Sequence, residues 1–258
     1  MSSIPEAFAH GKAFVAFITC GDPDLQTTEE AVLAAAENGA DLIELGIPFS
    51  DPTAEGPVIQ AANMRALSGG VTTDRILDFA ASLRQRTTVP MVFMTYANVV
   101  FSYGIGRFAQ RCREAGMDGV ILPDVPWEEK EEFAPAFRAR GLDFISLIAP
   151  TSAHRIGQIA GEAEGFLYIV SSLGVTGERG AITTDIGGMV SLVRAASGIP
   201  CAVGFGISTL EQAARMASLS DGAIVGSAIM RIIAEHGSQA APYVGDYVRR
   251  MKDALRAL

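Results

Sequence analysis

Lysine is scarce in this chain of 258 residues, occurring at positions 12, 130 and 252 and nowhere else. Histidine is equally sparse, at 10, 154 and 236. Neither set falls at the end of an expected strand, where barrel enzymes carry their chemistry, so Schiff-base aldolase chemistry has no lysine to use. Metal-dependent aldolase chemistry and isomerisation through a histidine electrophile lose their key groups in the same way. Cys20, Cys112 and Cys201 are odd in number and far apart, which fits neither a disulfide framework nor a zinc cluster. Long apolar runs are missing too. None reaches the ~20 residues that span a bilayer, and Met1 to Gly11 lacks the apolar centre of a secretion signal, so the expected location is cytoplasmic. Basic charge is in deficit: the formal net charge is -9 and the isoelectric point about 4.9. Neither nucleic acid nor an anionic membrane suits such a surface, which leaves small molecules and proteins as partners.

What the chain does have is regular alternation. Apolar β-type segments at Phe14 to Thr19, Leu42 to Leu45, Met91 to Tyr96, Gly119 to Leu122, Phe144 to Ile148, Phe166 to Ser171, Cys201 to Gly204 and Gly222 to Val225 are separated by helical ones. Those helices are expected at Thr27 to Asn38, Thr73 to Arg86, Gly106 to Ala115, Trp127 to Ala139, Ala153 to Glu162, Gly187 to Ala196 and Leu210 to Ser218. Asn38-Gly39, Gly116 and Gly141 read as helix ends. Strands apolar on both faces imply a parallel sheet covered by helices. Eight such units in about 250 residues match an α/β fold of the (β/α)8 (TIM) barrel class, with an open doubly wound sheet as the alternative. With 49% hydrophobic residues and no visible linker, residues 1–258 are expected to form a single domain, with a short N-terminal helix and an extra C-terminal helix from Ala241.

Acids are the reactive groups left at the strand ends: Asp22, Glu44, Asp51, Glu55 and Asp124. Glu44 interrupts an apolar strand, sharing a face with Leu42 and Gly46, where a core side chain would be expected. No expected strand contains Arg or Lys, so a cationic partner would have to reach in from a loop. Buried alone, Glu44 would have a raised pKa, each unit being worth about 1.4 kcal/mol, and could carry a proton near neutrality. Glu55 follows eleven residues later, just before Gly56-Pro57 begins a helix; it is either a second member of the site or a solvated acid favoured by the helix dipole. Gly204-Phe205-Gly206-Ile207-Ser208 and Val225-Gly226-Ser227-Ala228 each leave a strand and open a helix. Backbone N–H groups at such starts bind phosphate, and the seventh and eighth loops are where barrels commonly do so. Gly174 to Gly180 is polar and glycine-rich, as either a closing lid or a plain mobile loop would be. Bottom-up, the site takes a phosphorylated substrate with an apolar ring and works by carboxylate acid–base chemistry.

Seven blocks, in order, carry a resemblance. They are Phe17-Ile18-Thr19 with Gly21-Asp22-Pro23; Glu44 through Pro52, continuing by Gly56-Pro57 to Gln60 and Asn63; Met94-Thr95-Tyr96-Ala97-Asn98; Pro123-Asp124-Val125-Pro126; Gly174-Val175-Thr176-Gly177; Gly204 to Ser208; and Gly226-Ser227-Ala228-Ile229. In these the chain resembles the tryptophan synthase alpha subunit family along nearly its full length. The resemblance implies retro-aldol cleavage of indole-3-glycerol phosphate to indole and glyceraldehyde 3-phosphate. It implies that Glu44 shuttles protons and that the acid at 55 stabilises the charge developing on the indole nitrogen. It implies that Phe17, Ile59, Met94, Tyr96, Ile121 and Tyr168 line the indole slot. Gly177, Phe205, Gly206, Gly226 and Ser227 would hold the phosphate, and Thr176 would couple lid closure to Glu44. A beta subunit carrying pyridoxal phosphate is the implied partner in an alpha2beta2 assembly, docked at the exposed loop containing Pro48, Phe49, Asp51 and Pro52; no cofactor or metal is expected in this chain. The departure from the family is position 55, usually aspartate. A misplacement of ~1 Å can cost on the order of 100-fold in rate, so a catalytically weak subunit that activates its partner is the competing expectation. A sugar-phosphate isomerase with Cys20 as base is a further rival, lacking the acid it would want after strand six, where Ser171 and Ser172 stand.

Overall fold

Every residue from Ala13 to Thr19 is buried, on both faces of the strand they form, β1. Seven more apolar strands follow: β2 (Leu42–Gly46), β3 (Met91–Met94), β4 (Gly119–Ile121), β5 (Asp143–Ile148), β6 (Leu167–Val170), β7 (Cys201–Gly204) and β8 (Gly222–Val225). In the computed structural model, which describes residues 3–152, 154–171, 185–204 and 206–258, they close into one parallel barrel in sequence order, β8 pairing back onto β1. Closure leaves no sheet edge, and the surrounding helices cover the outer face. The helices are α1 (Ile4–Ala7), α2 (Leu25–Glu37), α3 (Pro57–Ser68), α4 (Thr73–Arg84), α5 (Ala97–Tyr103), α6 (Ile105–Glu114), α7 (Ala134–Arg138), α8 (Ile156–Gly161), α9 (Ile186–Ala196), α10 (Leu210–Leu219), α11 (Ser227–His236) and α12 (Ala241–Arg256).

Local chemistry sets the ends. Asp24 caps α2 by accepting from Thr27 N at 2.7 Å, and Thr209 with Gln212 forms a reciprocal capping box on α10. Gly39, Gly116 and Gly141 follow α2, α6 and α7 with φ of 105°, 73° and 69°, a left-handed conformation that glycine adopts without steric cost. The C-terminal helix α12 buries Val244, Val248, Met251 and Leu255. Its Lys252 ammonium donates to Lys12 O at 2.8 Å and Asp41 Oδ2 at 2.7 Å, while that same Oδ2 accepts from Phe14 N. The helix is thereby pinned to the lower ends of β1 and β2.

Several boundaries differ from those expected of the sequence. The stretch expected as one helix from Trp127 to Ala139 is a 3-10 segment (Trp127–Glu132) followed by the short α7. Pro135 explains the break, having no N–H to donate and a ring that clashes with the carbonyl four residues back. Strand β3 stops at Met94, and Tyr96 stands outside it at the N-cap position of α5. That helix is not visible in the sequence because its cap comes from another loop: Ala97 N donates to the Asp124 carboxylate at 3.0 and 3.1 Å. The helix expected from Ala153 begins at Ile156, after a 3-10 turn at Pro150–Ser152, and Ala153 itself lies outside the described residues.

Candidate active site

Strand register decides which side chains meet. Phe17 on β1 lies beside Glu44 on β2, and two residues on, Thr19 lies beside Gly46, which pairs with Met94 on β3. Alternation turns this set to the barrel interior, and at its mouth lies a cleft. Phe17, Glu44, Glu55, Ile59, Met94 and Tyr168 line it, together with Gly206, Ile207, Ile224, Gly226 and Ser227. Residues distant in sequence thus converge: two acids, a wall of ring-sized apolar groups, and the glycine-rich starts that follow β7 and β8.

Glu44 is 1% exposed, and among the described residues neither of its carboxylate oxygens has a hydrogen-bond partner. No Arg or Lys described in the structure pairs with it. Burial raises its pKa to about 8, and the neighbouring negative charge of Glu55 adds to the rise. Glu55 is better supported. Asn63 Nδ2 donates to its Oε2 at 2.6 Å, and Gln60 Nε2 donates to its main-chain oxygen at 2.8 Å. Burial lifts Glu55 to about 7 against the opposing hydrogen bonds from Asn63 and Tyr96. Tyr96 also accepts from Ala54 N at 3.1 Å, fixing the loop that carries Glu55.

The other candidate residues separate cleanly. Tyr96 is buried but reaches Glu55 from the flank rather than lining the cleft, and Ile121 is fully buried beside Met94 in the β3–β4 register. Thr176, Gly177, Phe205 and the Gly174 to Gly180 segment lie outside the described residues. Asp22 is a structural acid: Arg65 grips both its oxygens, at 2.7 and 2.8 Å. Asp124 serves as the cap of α5, and Asp51 is exposed, accepting from Ser50 Oγ. The Pro48 to Thr53 loop is less exposed than expected. Pro48 is buried and Phe49 half-buried because the Phe49 ring packs on Tyr96, centroids 5.2 Å apart, leaving Ser50, Asp51 and Thr53 as the exposed part. Cys20 is fully buried, and burial pushes its thiol pKa far up, which removes it as a base. Ile224 on β8 is a lining residue the sequence does not mark, because nothing in a short apolar strand tells which residue reaches the cleft, and Ile207 joins it from the glycine-rich loop after β7.

Among the described residues no cluster of His, Cys, Asp or Glu is arranged to hold a metal, and no helix is long and apolar enough to cross a membrane. The fold and cleft define a protein of the (β/α)8-barrel class with two carboxylates and an apolar wall at the mouth of the barrel. The sequence model of the tryptophan synthase alpha chain matches residues 7–256. Tryptophan synthase alpha chains of Lacticaseibacillus casei and Lactiplantibacillus plantarum are 44% and 47% identical to this chain, over 100% and 99% of it and 97% of each relative. The structure of Mycobacterium tuberculosis tryptophan synthase superposes with a TM-score of 0.90 at 33% identity, covering 99% of this chain and 98% of the other. The chain belongs to the tryptophan synthase alpha chain family, and so to the lyases that cleave indole-3-glycerol phosphate.

Proposed function

We propose that Glu44 and Glu55 are the acid–base pair of this cleavage. Protonated Glu44 gives its proton to the indole ring carbon that bears the glycerol chain, and the ring becomes cationic with its charge centred on nitrogen. Ionised Glu55 stabilises that charge. The Glu44 carboxylate then takes the proton of the adjacent glycerol hydroxyl. As that oxygen forms its carbonyl, the carbon–carbon bond breaks, its electron pair restores the aromatic ring, and indole leaves with Glu44 protonated again. Atoms and charge balance without a resident cofactor.

The observation that carries this reading is Glu44 itself. A carboxylate sealed at 1% exposure, without cation or donor among the described residues and with a pKa of about 8, holds a proton at neutral pH and can give it up. Phe17, Ile59, Met94 and Tyr168 supply a slot for a flat apolar ring. At the other end Gly226 and Ser227 open α11, whose first N–H groups have no side-chain cap and suit a phosphate; Gly206, with Gly177 and Phe205, completes that set. Tyr96 and Ile121 back the ring slot, and Thr176 joins the substrate-binding set. The exposed part of the Pro48 to Thr53 loop docks a beta subunit that carries pyridoxal phosphate and consumes the indole, in an alpha2beta2 assembly in the cytoplasm. Residues 1–258 act as one domain.

The test is indole release by Glu44→Gln alone and with the beta subunit, together with calorimetric affinity for glycerol phosphate. Turnover should fall to background with affinity kept within about twofold; retained turnover, or equal loss of both, removes Glu44 from the chemistry.

A further inference from the structure

Helix α3 buries four residues on its inner face: Ile59, Ala62, Asn63 and Ala66. Three are apolar, as a helix packed on a barrel requires, and one is an amide at 3% exposure. An amide in such a position costs free energy unless it is hydrogen-bonded. Asn63 meets that cost with the Glu55 carboxylate, eight residues earlier, at 2.6 Å. The geometry follows from the helix. Glu55 stands just before the N-cap Gly56, and side chains of a helix lean toward its N-terminus, so the seventh helical residue points back at the acid.

We propose that Asn63 is a positioning residue for the cleavage, acting through Glu55, whose carboxylate it holds from the inner face of α3. An amide N–H₂ only donates, so it favours the ionised carboxylate, the form that receives a cationic ring. By holding Oε2 it fixes the carboxylate in the wall of the cleft. Tyr96 bonds the same carboxylate from β3's end, and Glu44 on β2 is the other titratable group facing it. This rests on the proposed role of Glu55.

Steady-state indole release across pH, on the complete chain with its beta subunit, tests the pair. Asn63→Ala should lower kcat about 10-fold with KM changed less than about twofold, and move the acidic limb of kcat/KM upward by on the order of one pH unit, since a hydrogen bond to a charged group is worth about 1.5–3 kcal/mol. Asn63→Asp, which keeps the shape and loses the donor, should shift the limb the same way. Thermal unfolding of each variant separates lost positioning from lost folding. An unmoved acidic limb in folded Asn63→Ala or folded Asn63→Asp overturns the proposal. If Glu55→Gln abolishes turnover while Asn63→Ala is silent, only this inference fails; if Glu55→Gln turns over normally, the reading beneath it fails as well.

Discussion

The Phe17 ring lies across Gly46 so closely that a Cβ at Gly46 would stand 2.6 Å from its Cζ. Gly226 is on another side of the same ring, where a Cβ would be 3.0 Å from Cδ1. Two glycines therefore make the space in which Phe17 forms the floor of the cleft. Gly46→Ala should displace the ring, costing roughly 1–3 kcal/mol of stability and raising KM on the order of 10-fold. Thermal unfolding and indole-release kinetics measure both, and an unchanged KM would mean the ring is not part of the ring slot.

Behind Tyr168 the clearance is smaller still, for a Cβ on Gly204 would sit 2.3 Å from the phenol oxygen. Gly204→Ala should drive Tyr168 toward Glu44 and stop cleavage, while Tyr168→Phe on the native glycine should keep at least part of it. Equal activity in Gly204→Ala and the parent would place the phenol elsewhere.

Turnover should depend on pH as a bell. The productive state needs Glu55 ionised and Glu44 protonated, so kcat/KM should rise as Glu55 loses its proton at about 7 and fall as Glu44 loses its own at about 8. Glu55→Gln should abolish the acidic limb together with most of the rate. A profile flat from about pH 6 to 9 would contradict the assignment.

Stability carries the opposite signature. Below about 4.5, its ordinary value, Glu44 is protonated folded or unfolded; above that the folded state alone keeps the proton, and stability falls as pH rises until about 8. Glu44→Gln removes that dependence. Relative to the parent it should be more stable at pH 9 than at pH 5 by up to the order of 3–5 kcal/mol, read from denaturant midpoints. A constant difference between the two pH values would show that Glu44 is not desolvated.

Arg65 is two-fifths exposed, while the Asp22 it grips is fully buried. Arg65→Ala strands that acid and should cost roughly 1–3 kcal/mol, discounted for the exposed guanidinium. Since Arg65 lies on α3, the helix that anchors Glu55, kcat should fall as well. Unfolding midpoints and turnover unchanged by the substitution would show the clamp to be slack.

The barrel was legible because its signal is local and repeated: a short apolar strand followed by a helical segment, eight times over, with glycine closing several of the helices. Glu44 was legible as well, since a carboxylate within an apolar strand contradicts its surroundings wherever that strand packs. Legibility ends where the cause lies in another part of the chain. The cap of α5 comes from Asp124, the Phe49 side chain is drawn down by Tyr96, and the role of Asp22 is set by Arg65, forty-three residues away. Sequence by itself determined the architecture and the kind of chemistry, because periodicity and residue type act over a few residues. Only the tertiary structure decided which acid is paired, which is anchored and which is left alone, because each depends on which donor or cation the packing of helices and loops onto the closed barrel brings within about 3 Å of a carboxylate, and residue type does not set that distance.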